Sequence, residues 1–192
     1  MDMTRALPME SQWDLLDEYG LNAHFDAAWI DTEDMEEIVR RFRADPSSGI
    51  PCDLDRACHL AQDRGQDSLV WIGAHSPGWS VALTLGGAFT LREEASAGGR
   101  IIIEYWHMAE LGEIGDEAIT YHQDGEYMGA VGTEGFQEYV RDLDARTYTG
   151  FQEEVEMYLI CAGRVTGRFL DHDWFATPRV LYRVPREAWP RR

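Results

Sequence analysis

The stretch SLVWIGAHSPGWSVALTL, residues 68–85, decides the fold class. Its first part, Ser68 to Ala74, is an apolar run of strand length, and Trp79 to Leu85 alternates apolar with polar side chains. Alternation with a period of two is typical of a strand that buries one face. Pro77 and Gly78 stand between the two runs and favour a tight turn. The stretch therefore predicts a β-hairpin.

Further strands are predicted on the C-terminal side of this hairpin. Arg100 to Met108 contains three consecutive isoleucines, which indicates a central strand covered on both faces. Asp124-Gly125 is a dipeptide preferred in two-residue hairpin turns, and a short strand flanks it on each side. Val180 to Val184 lies between two prolines, as an edge strand does. We expect a mainly antiparallel, twisted sheet of about six strands.

Helical periodicity surrounds these strands. The predicted helices are Gln12–Tyr19, Thr32–Ala44, Asp53–Arg64 and a long C-terminal helix from Thr149 to a stop at Gly163 or Gly167. Residues 1–10 have no periodicity and are expected to be a loose lead-in, His24 to Ile30 is an ambiguous short strand, and Asp171 to Ala176 is expected to be a connection. A chain of 192 residues has the length of one domain. The sequence therefore predicts a single α+β domain over residues 1–192, with the sheet packed against helices.

Acidic residues dominate the charge of the chain. There are 35 Asp and Glu against 17 basic residues, so the formal net charge is −18. A field of this sign repels nucleic acid and anionic membranes, and it favours a basic protein partner. Negative charge also serves solubility, whatever the protein binds. We expect neither nucleic acid nor membrane as a partner, and the oligomeric state stays open.

The cysteines and the apolar pattern bear on location. Cys52, Cys58 and Cys161 are too few and too scattered for a disulfide framework. The first residues lack the pattern of a secretory signal, and no apolar stretch approaches the roughly 18 residues that cross a bilayer. These features predict a cytoplasmic protein with free, inert thiols.

Several short pieces of the sequence occur in an order that resembles a known family. They are Trp79-Ser80-Val81-Ala82-Leu83, Ser96-Ala97-Gly98-Gly99-Arg100, Trp106, Asp124-Gly125-Glu126 and Thr166-Gly167. Over residues 68–184 the chain resembles an uncharacterised actinobacterial family of acidic α+β domain proteins of unknown function. The family favours a Glu where this chain has Thr84. The resemblance implies a fold and a source, and it supplies no catalytic residues. All 17 basic residues are Arg, which suits the GC-rich genome of such a source.

Glu104 and His107 form the clearest chemical pair. An E-x-x-H spacing brings two metal ligands together on a helix, but in a strand it points them to opposite faces. Because the segment is a predicted strand, we expect a hydrogen-bonded histidine and no metal site. The Asp171-His172-Asp173 segment is expected to be a solvated acidic turn. The sequence contains no catalytic motif and no phosphate-binding glycine loop, so we expect no cofactor.

Two sets of residues are candidates for binding. The first is an acidic loop whose candidate partner-binding residues are Glu110, Leu111, Glu113, Ile114, Asp116 and Glu117. The second is an aromatic pocket between the sheet and the C-terminal helix, whose candidate residues are Trp79, Glu104, Trp106, His107 and Tyr121. Exposed aromatic rings are typical of protein interfaces, whereas a small-molecule pocket needs convergent polar groups.

These features favour a non-catalytic interaction protein whose acidic loop binds a basic protein partner. Immunity-type proteins, which neutralise nucleases, and other accessory proteins share this profile, because charge matching speeds association and supplies specificity. The alternative is a small-molecule-binding protein or an enzyme that uses the aromatic pocket, with His107 or Glu104 as its polar group. A structural subunit of a larger assembly is a third hypothesis. Whether the protein is an enzyme stays open, and a non-catalytic role is favoured.

Overall fold

The structure is a computed structural model that describes residues 2–63, 68–86, 92–111, 118–133, 135–143, 148 and 150–188, with residues 63, 111 and 187 described for the backbone alone. These residues form seven α-helices and one eight-stranded sheet in which all neighbouring strands pair antiparallel. The predicted α+β fold class is confirmed. The sheet has eight strands where about six were expected.

The strands are β1 (His24–Ile30), β2 (Ile50–Cys52), β3 (Ser68–Ser76), β4 (Trp79–Gly86), β5 (Ile101–Met108), β6 (Ile119–Gln123), β7 (Glu126–Ala130) and β8 (Arg179–Val184). The helices are α1 (Gln12–Glu18), α2 (Met35–Arg41), α3 (Leu54–Asp63), α4 (Arg92–Ser96), α5 (Gln137–Val140), α6 (Phe151–Thr166) and α7 (His172–Ala176). Across the sheet the strands follow the order β2-β8-β3-β4-β1-β5-β6-β7. The segment 24–30, ambiguous in sequence, is therefore a central strand. β8, which was expected at an edge, lies between β2 and β3, and β2 is the edge strand.

Both predicted hairpins are confirmed. In the first, Trp71 pairs with Leu83, and the register shifts once near the turn that contains Gly78. In the second, Asp124 and Gly125 have φ angles of 51° and 87°, the left-handed conformation that a two-residue turn requires at both positions.

Side-chain caps explain where the structure departs from the predicted helix ends. α2 begins at Met35, because the Asp34 carboxylate accepts a hydrogen bond from the Glu37 N–H at 3.1 Å. The connection expected at 171–176 is a short helix, α7, whose cap is Asp171. The Asp171 carboxylate accepts a hydrogen bond from the Trp174 N–H at 2.6 Å, so its negative charge stabilises the N-terminus of α7.

Side chains alternate between two sheet faces, which we call the α6 face and the α4 face after a helix that covers each. On β1 the residues of the α6 face are Phe25, Ala27 and Trp29, and those of the α4 face are Asp26, Ala28 and Ile30. Helices α1, α3, α6 and α7 pack on the α6 face around the larger core cluster. Among the α-helices of the described residues, only the short α2 and α4 pack on the α4 face.

A buried arginine is part of the α6 face. The Arg179 guanidinium lies between two tryptophan rings, 4.4 Å from the centroid of Trp71 and 4.1 Å from that of Trp174. It donates a hydrogen bond to the Trp174 carbonyl, and burial lowers the pKa of Arg179 to about 9. Its carbon stem crosses β3 at Gly73, where a Cβ atom would lie 2.3 Å from Arg179 Cγ. Gly73 therefore provides the space that the arginine stem occupies.

We expect Gly73→Ala to lower the free energy of unfolding by about 1–3 kcal/mol, because the new methyl group overlaps the root of a buried side chain. Gly86→Ala on the neighbouring strand is the matched control, since no atom lies within 4 Å of its Cβ position. We expect the control to stay within about 0.5 kcal/mol of the wild type in urea unfolding. Equal effects of the two substitutions would contradict this packing.

Candidate functional site

Helix α4 covers only one end of the sheet half formed by β5, β6 and β7. Two contacts fix the helix and its C-terminal turn to the β6–β7 hairpin. The Ser96 hydroxyl accepts from the Gly125 N–H at 2.9 Å, and the Asp124 carboxylate accepts from Gly98 and Gly99, each at 2.9 Å. The first residue of α4, Arg92, is thereby placed over β1 and β5.

Arg92 is the centre of a buried ion network on the α4 face. Its side chain is 3% exposed, and its guanidinium bonds Glu104 of β5 through Nε, at 2.9 Å, and Asp26 of β1 through Nη2. His122 of β6 joins the network, with Nε2 3.3 Å from the second oxygen of Glu104. The strand order β1-β5-β6 brings these groups together.

The pKa values of the two carboxyl groups in the network are shifted in opposite directions. Burial raises the pKa of Asp26, and the attraction of Arg92 offsets only part of that effect. Burial also acts to raise the pKa of Glu104, but Arg92 and the hydrogen bond from His122 outweigh it, so the pKa of Glu104 is lowered. The pKa of Arg92 is raised, because its two carboxylate partners outweigh its burial. All three groups depend on one another for their charge.

Exposed aromatic and methionine side chains lie on both sides of the ion network, on β5 and on β7. Trp106, two residues after Glu104 on β5 and on the same face, is 43% exposed, and Met108 follows it at 39%. Tyr127 of β7 is 44% exposed, and its ring lies 5.5 Å from that of His122. In the strand register Tyr127 is level with Ile102, and Trp106 lies four residues further along β5, so the two side chains are roughly 16 Å apart, within the length of one helix or strand of a partner.

Most of the predicted acidic loop lies outside the described residues. Glu113, Ile114, Asp116 and Glu117 belong to the segment 112–117, and Leu111 is described for its backbone alone. Glu110 is exposed in a 3-10 turn that follows β5 directly. The loop therefore leaves β5 two residues after Met108, at the open end of the α4 face.

The five residues of the predicted aromatic pocket do not lie on one face. Glu104 and Trp106 belong to the α4 face, and His107, Tyr121 and Trp79 belong to the α6 face. This pocket prediction is corrected: the sheet separates the two groups, as a period of two requires for Glu104 and His107.

The environment of His107 is filled by protein. The side chain is 2% exposed, and rings of Trp13, Phe25 and Phe151 surround it at centroid distances of 5.5–6.5 Å. The Tyr105 hydroxyl lies 3.0 Å from Nδ1, and Nε2 lies 3.1 Å from the Asn22 carbonyl. A neutral ring satisfies both bonds if the hydroxyl donates to Nδ1 and Nε2–H donates to the carbonyl. Burial lowers the pKa of His107 to about 4.

The thiols and the described ligating groups offer little metal chemistry. Cys52 and Cys161 are buried, Cys58 is half-buried, and burial raises the pKa of all three, that of Cys161 to about 12. No group of three or more His, Cys, Asp or Glu side chains in the described residues could hold a metal ion. In the same part of the chain, no helix is long and apolar enough to cross a membrane.

The residues that sequence reasoning missed are Asp26, Arg92 and His122. Asp26 and His122 are polar residues within buried strands, and that is the only signal the sequence offers, as where Asp26 stands between Phe25 and Ala27. Arg92 precedes the exposed Glu93 and Glu94 and gives no such signal. A charge at such a position requires a partner, but the sequence does not identify it.

Comparisons with known proteins found no protein similar to this chain. A scan against protein families found no match, and searches of curated proteins and of solved structures found no similar chain.

We expect Arg92→Met to lower the free energy of unfolding by about 3–5 kcal/mol at pH 7, because two carboxylates stay buried without their cation. In the variant, burial raises the pKa of both carboxyl groups, so the folded state binds protons more tightly than the unfolded chain. The difference in unfolding free energy between the wild type and Arg92→Met should therefore become smaller as the pH falls. Urea unfolding at pH 7 and about pH 5 measures both effects.

Arg43→Met is the control for this substitution. Arg43 pairs with Glu94, and both side chains are nearly half exposed, so the loss should stay below about 1 kcal/mol. If Arg92→Met costs no more than Arg43→Met, the ion network does not hold the face together.

His107 should make the wild type less stable in acid. The unfolded histidine titrates near about pH 6.5 and the folded one at about 4, so the unfolded chain binds the proton first as the pH falls. Stability is then lost across that window. His107→Gln should reduce the slope of unfolding free energy against pH, and His59→Gln, at an exposed position, should leave the slope unchanged. Equal slopes in all three proteins would exclude this role for His107.

Proposed function

We propose that the protein is a non-catalytic, acidic interaction protein that binds a basic protein partner with the exposed apolar side chains of β5 and β7. One observation carries the proposal. Four of the six exposed large apolar side chains in the described residues lie on β5 and β7, in a chain of net charge −18; they are Trp106, Met108, Tyr127 and Met128.

The composition of this surface suits a protein interface. Aromatic and methionine side chains are enriched at interface cores, because they bury much area at little entropic cost. A rigid platform supports them here, since Trp106 follows the ion-paired Glu104 on β5 and Tyr127 lies against the buried His122. A partner that covers both rings would gain two such anchors.

The charges around the surface favour a cationic partner. Exposed Glu126 precedes Tyr127 directly, exposed Glu110 lies two residues after Met108, and the acidic loop continues from Glu110. Within the ion network two carboxylates face one guanidinium, which adds to the negative field. Complementary fields speed association and select among partners. Immunity-type and accessory-type proteins of the cytoplasm are the class that this profile fits.

A pocket between the sheet and α6 receives less support. Its polar residue, His107, is buried under three aromatic rings and uses both ring nitrogens in bonds within the protein. The other polar candidate, Glu104, is on the opposite face and ion-paired. We therefore assign no catalytic role to these residues.

The proposal predicts capture of a basic protein from lysate of the source organism by the tagged chain. Recovery should be near stoichiometric at about 0.1 M salt and should fall steeply at about 1 M, where the screening length drops from about 10 Å to about 3 Å. Trp106→Ala combined with Tyr127→Ala should abolish capture, and Leu7→Ala combined with Met9→Ala should not.

Charge reversal tests the acidic loop separately. Reversal of Glu110, Glu113, Asp116 and Glu117 to Arg should remove the partner at both salt concentrations. Reversal of Glu18, Glu36, Asp55 and Glu138, which are exposed on four other helical segments, makes the same change in net charge and should leave most of the binding. Capture that survives the first set of substitutions, or that does not respond to salt, would contradict the proposal.

A further inference from the structure

A cavity of about 730 Å³ lies on the α6 side of the molecule, away from the open end of the α4 face. One wall is the N-terminal segment, residues 3–10, and the other is the connection between α6 and α7 with the first two residues of α7, residues 167–173. Its volume is in the range of small-molecule sites.

Two fully buried polar side chains hold the walls in place. Gln12 bridges them, since its amide nitrogen donates to the carbonyls of Glu10 and Leu170 and its oxygen accepts from the Leu170 N–H. Arg164 donates to the Ala6 carbonyl at 2.8 Å and forms a two-bond ion pair with Asp142. The N-terminal segment, expected to be a loose lead-in, is thus fixed to α6, and the cavity is preformed.

The lining combines apolar surface with an excess of negative charge. Leu7, 64% exposed, and the fully exposed Met9 lie on one wall, opposite Phe169 and Leu170. Three carboxylates line the cavity, those of Glu10, Asp171 and Asp173, against one guanidinium, that of Arg168. Counting His172 as neutral, the side chains that line the cavity have a formal net charge of −2.

The carboxylates differ in their availability to a ligand. Asp171 is engaged by Arg168 at 2.8 Å and by the Trp174 N–H. Glu10 has only a loose contact, 3.6 Å from the His172 ring, and its side chain is 40% exposed. Glu10 and the exposed Asp173 are therefore the groups that can attract a cation.

We propose that this cavity binds a small organic cation with an apolar body, such as an aryl-alkyl amine. The body would cover Leu7, Met9 and Phe169 and remove their surface from water. The ammonium group would lie at the rim near Glu10 and Asp173, whose opposite charges attract it at partly exposed positions. This site and the proposed partner surface are separate, and either one can fail alone.

Titration of the full chain with 4-phenylbutylamine, followed by two-dimensional NMR of backbone amides, tests the proposal. The matched probes are 4-phenylbutanol and 4-phenylbutyrate, which keep the apolar body and change the charge. We expect saturable shifts at Leu7, Gly167 and Phe169, and binding of the amine about tenfold tighter than that of the carboxylate.

Two substitutions at exposed positions separate the apolar and ionic contributions. Leu7→Ser should weaken binding of the amine and the alcohol alike, and Glu10→Gln should weaken the amine alone, each by about fivefold or more. Glu36→Gln, which makes the Glu10 change at an exposed position of α2, should have no effect. Equal affinity for amine and carboxylate, shifts outside the cavity, or indifference to Glu10→Gln would overturn the proposal. If the wild type does not bind the amine and Leu7→Ser loses partner capture, the cavity contacts the protein partner and the small-molecule proposal is wrong.

Discussion

The guanidinium of Arg92 lies between carboxylates from two adjacent strands, and much of the structure depends on that placement. Asp26 and Glu104 occupy strand positions that their neighbours fill with apolar side chains, so each requires a cation that the sheet cannot supply. Helix α4 supplies that cation from its first residue. Because Arg92 and Ser96 attach α4 over one end of β5–β7, the other end of the strands is left uncovered by that helix.

The two faces of the sheet differ because different helices cover them. On the α6 face a sixteen-residue helix and several shorter ones enclose Trp29, Trp71 and Trp174, and polar groups such as His107 and Arg179 are buried with partners or aromatic neighbours. On the α4 face two short helices enclose a smaller cluster, and Trp106 and Tyr127 are exposed. Exposed aromatic side chains on a rigid sheet are typical of a surface that binds a partner.

Local patterns predicted much of the fold. The hairpin at 68–85 and the turn at Asp124-Gly125 depend on period and turn residues, which are local, and both are present. β2 has no signal in the sequence, because three residues that include Pro51 show no period, and only pairing with β8 defines them as a strand. The ion network was not predicted, because Asp26 and Arg92 are 66 residues apart and meet only through the strand order. Alternation did predict that Glu104 and His107 point apart, yet the sequence could not show that only Glu104 lies beside the exposed rings.

Hydroxyl-radical footprinting of the free protein tests most directly whether the α4 face is open. We expect rapid oxidation of Trp106, Tyr127, Met108 and Met128, and slow oxidation of the buried Trp71, Tyr105 and Met157, which match them in side-chain chemistry. Oxidation of Trp106 and Tyr127 as slow as that of Trp71 and Tyr105 would show that these side chains are covered, and it would contradict a binding surface there.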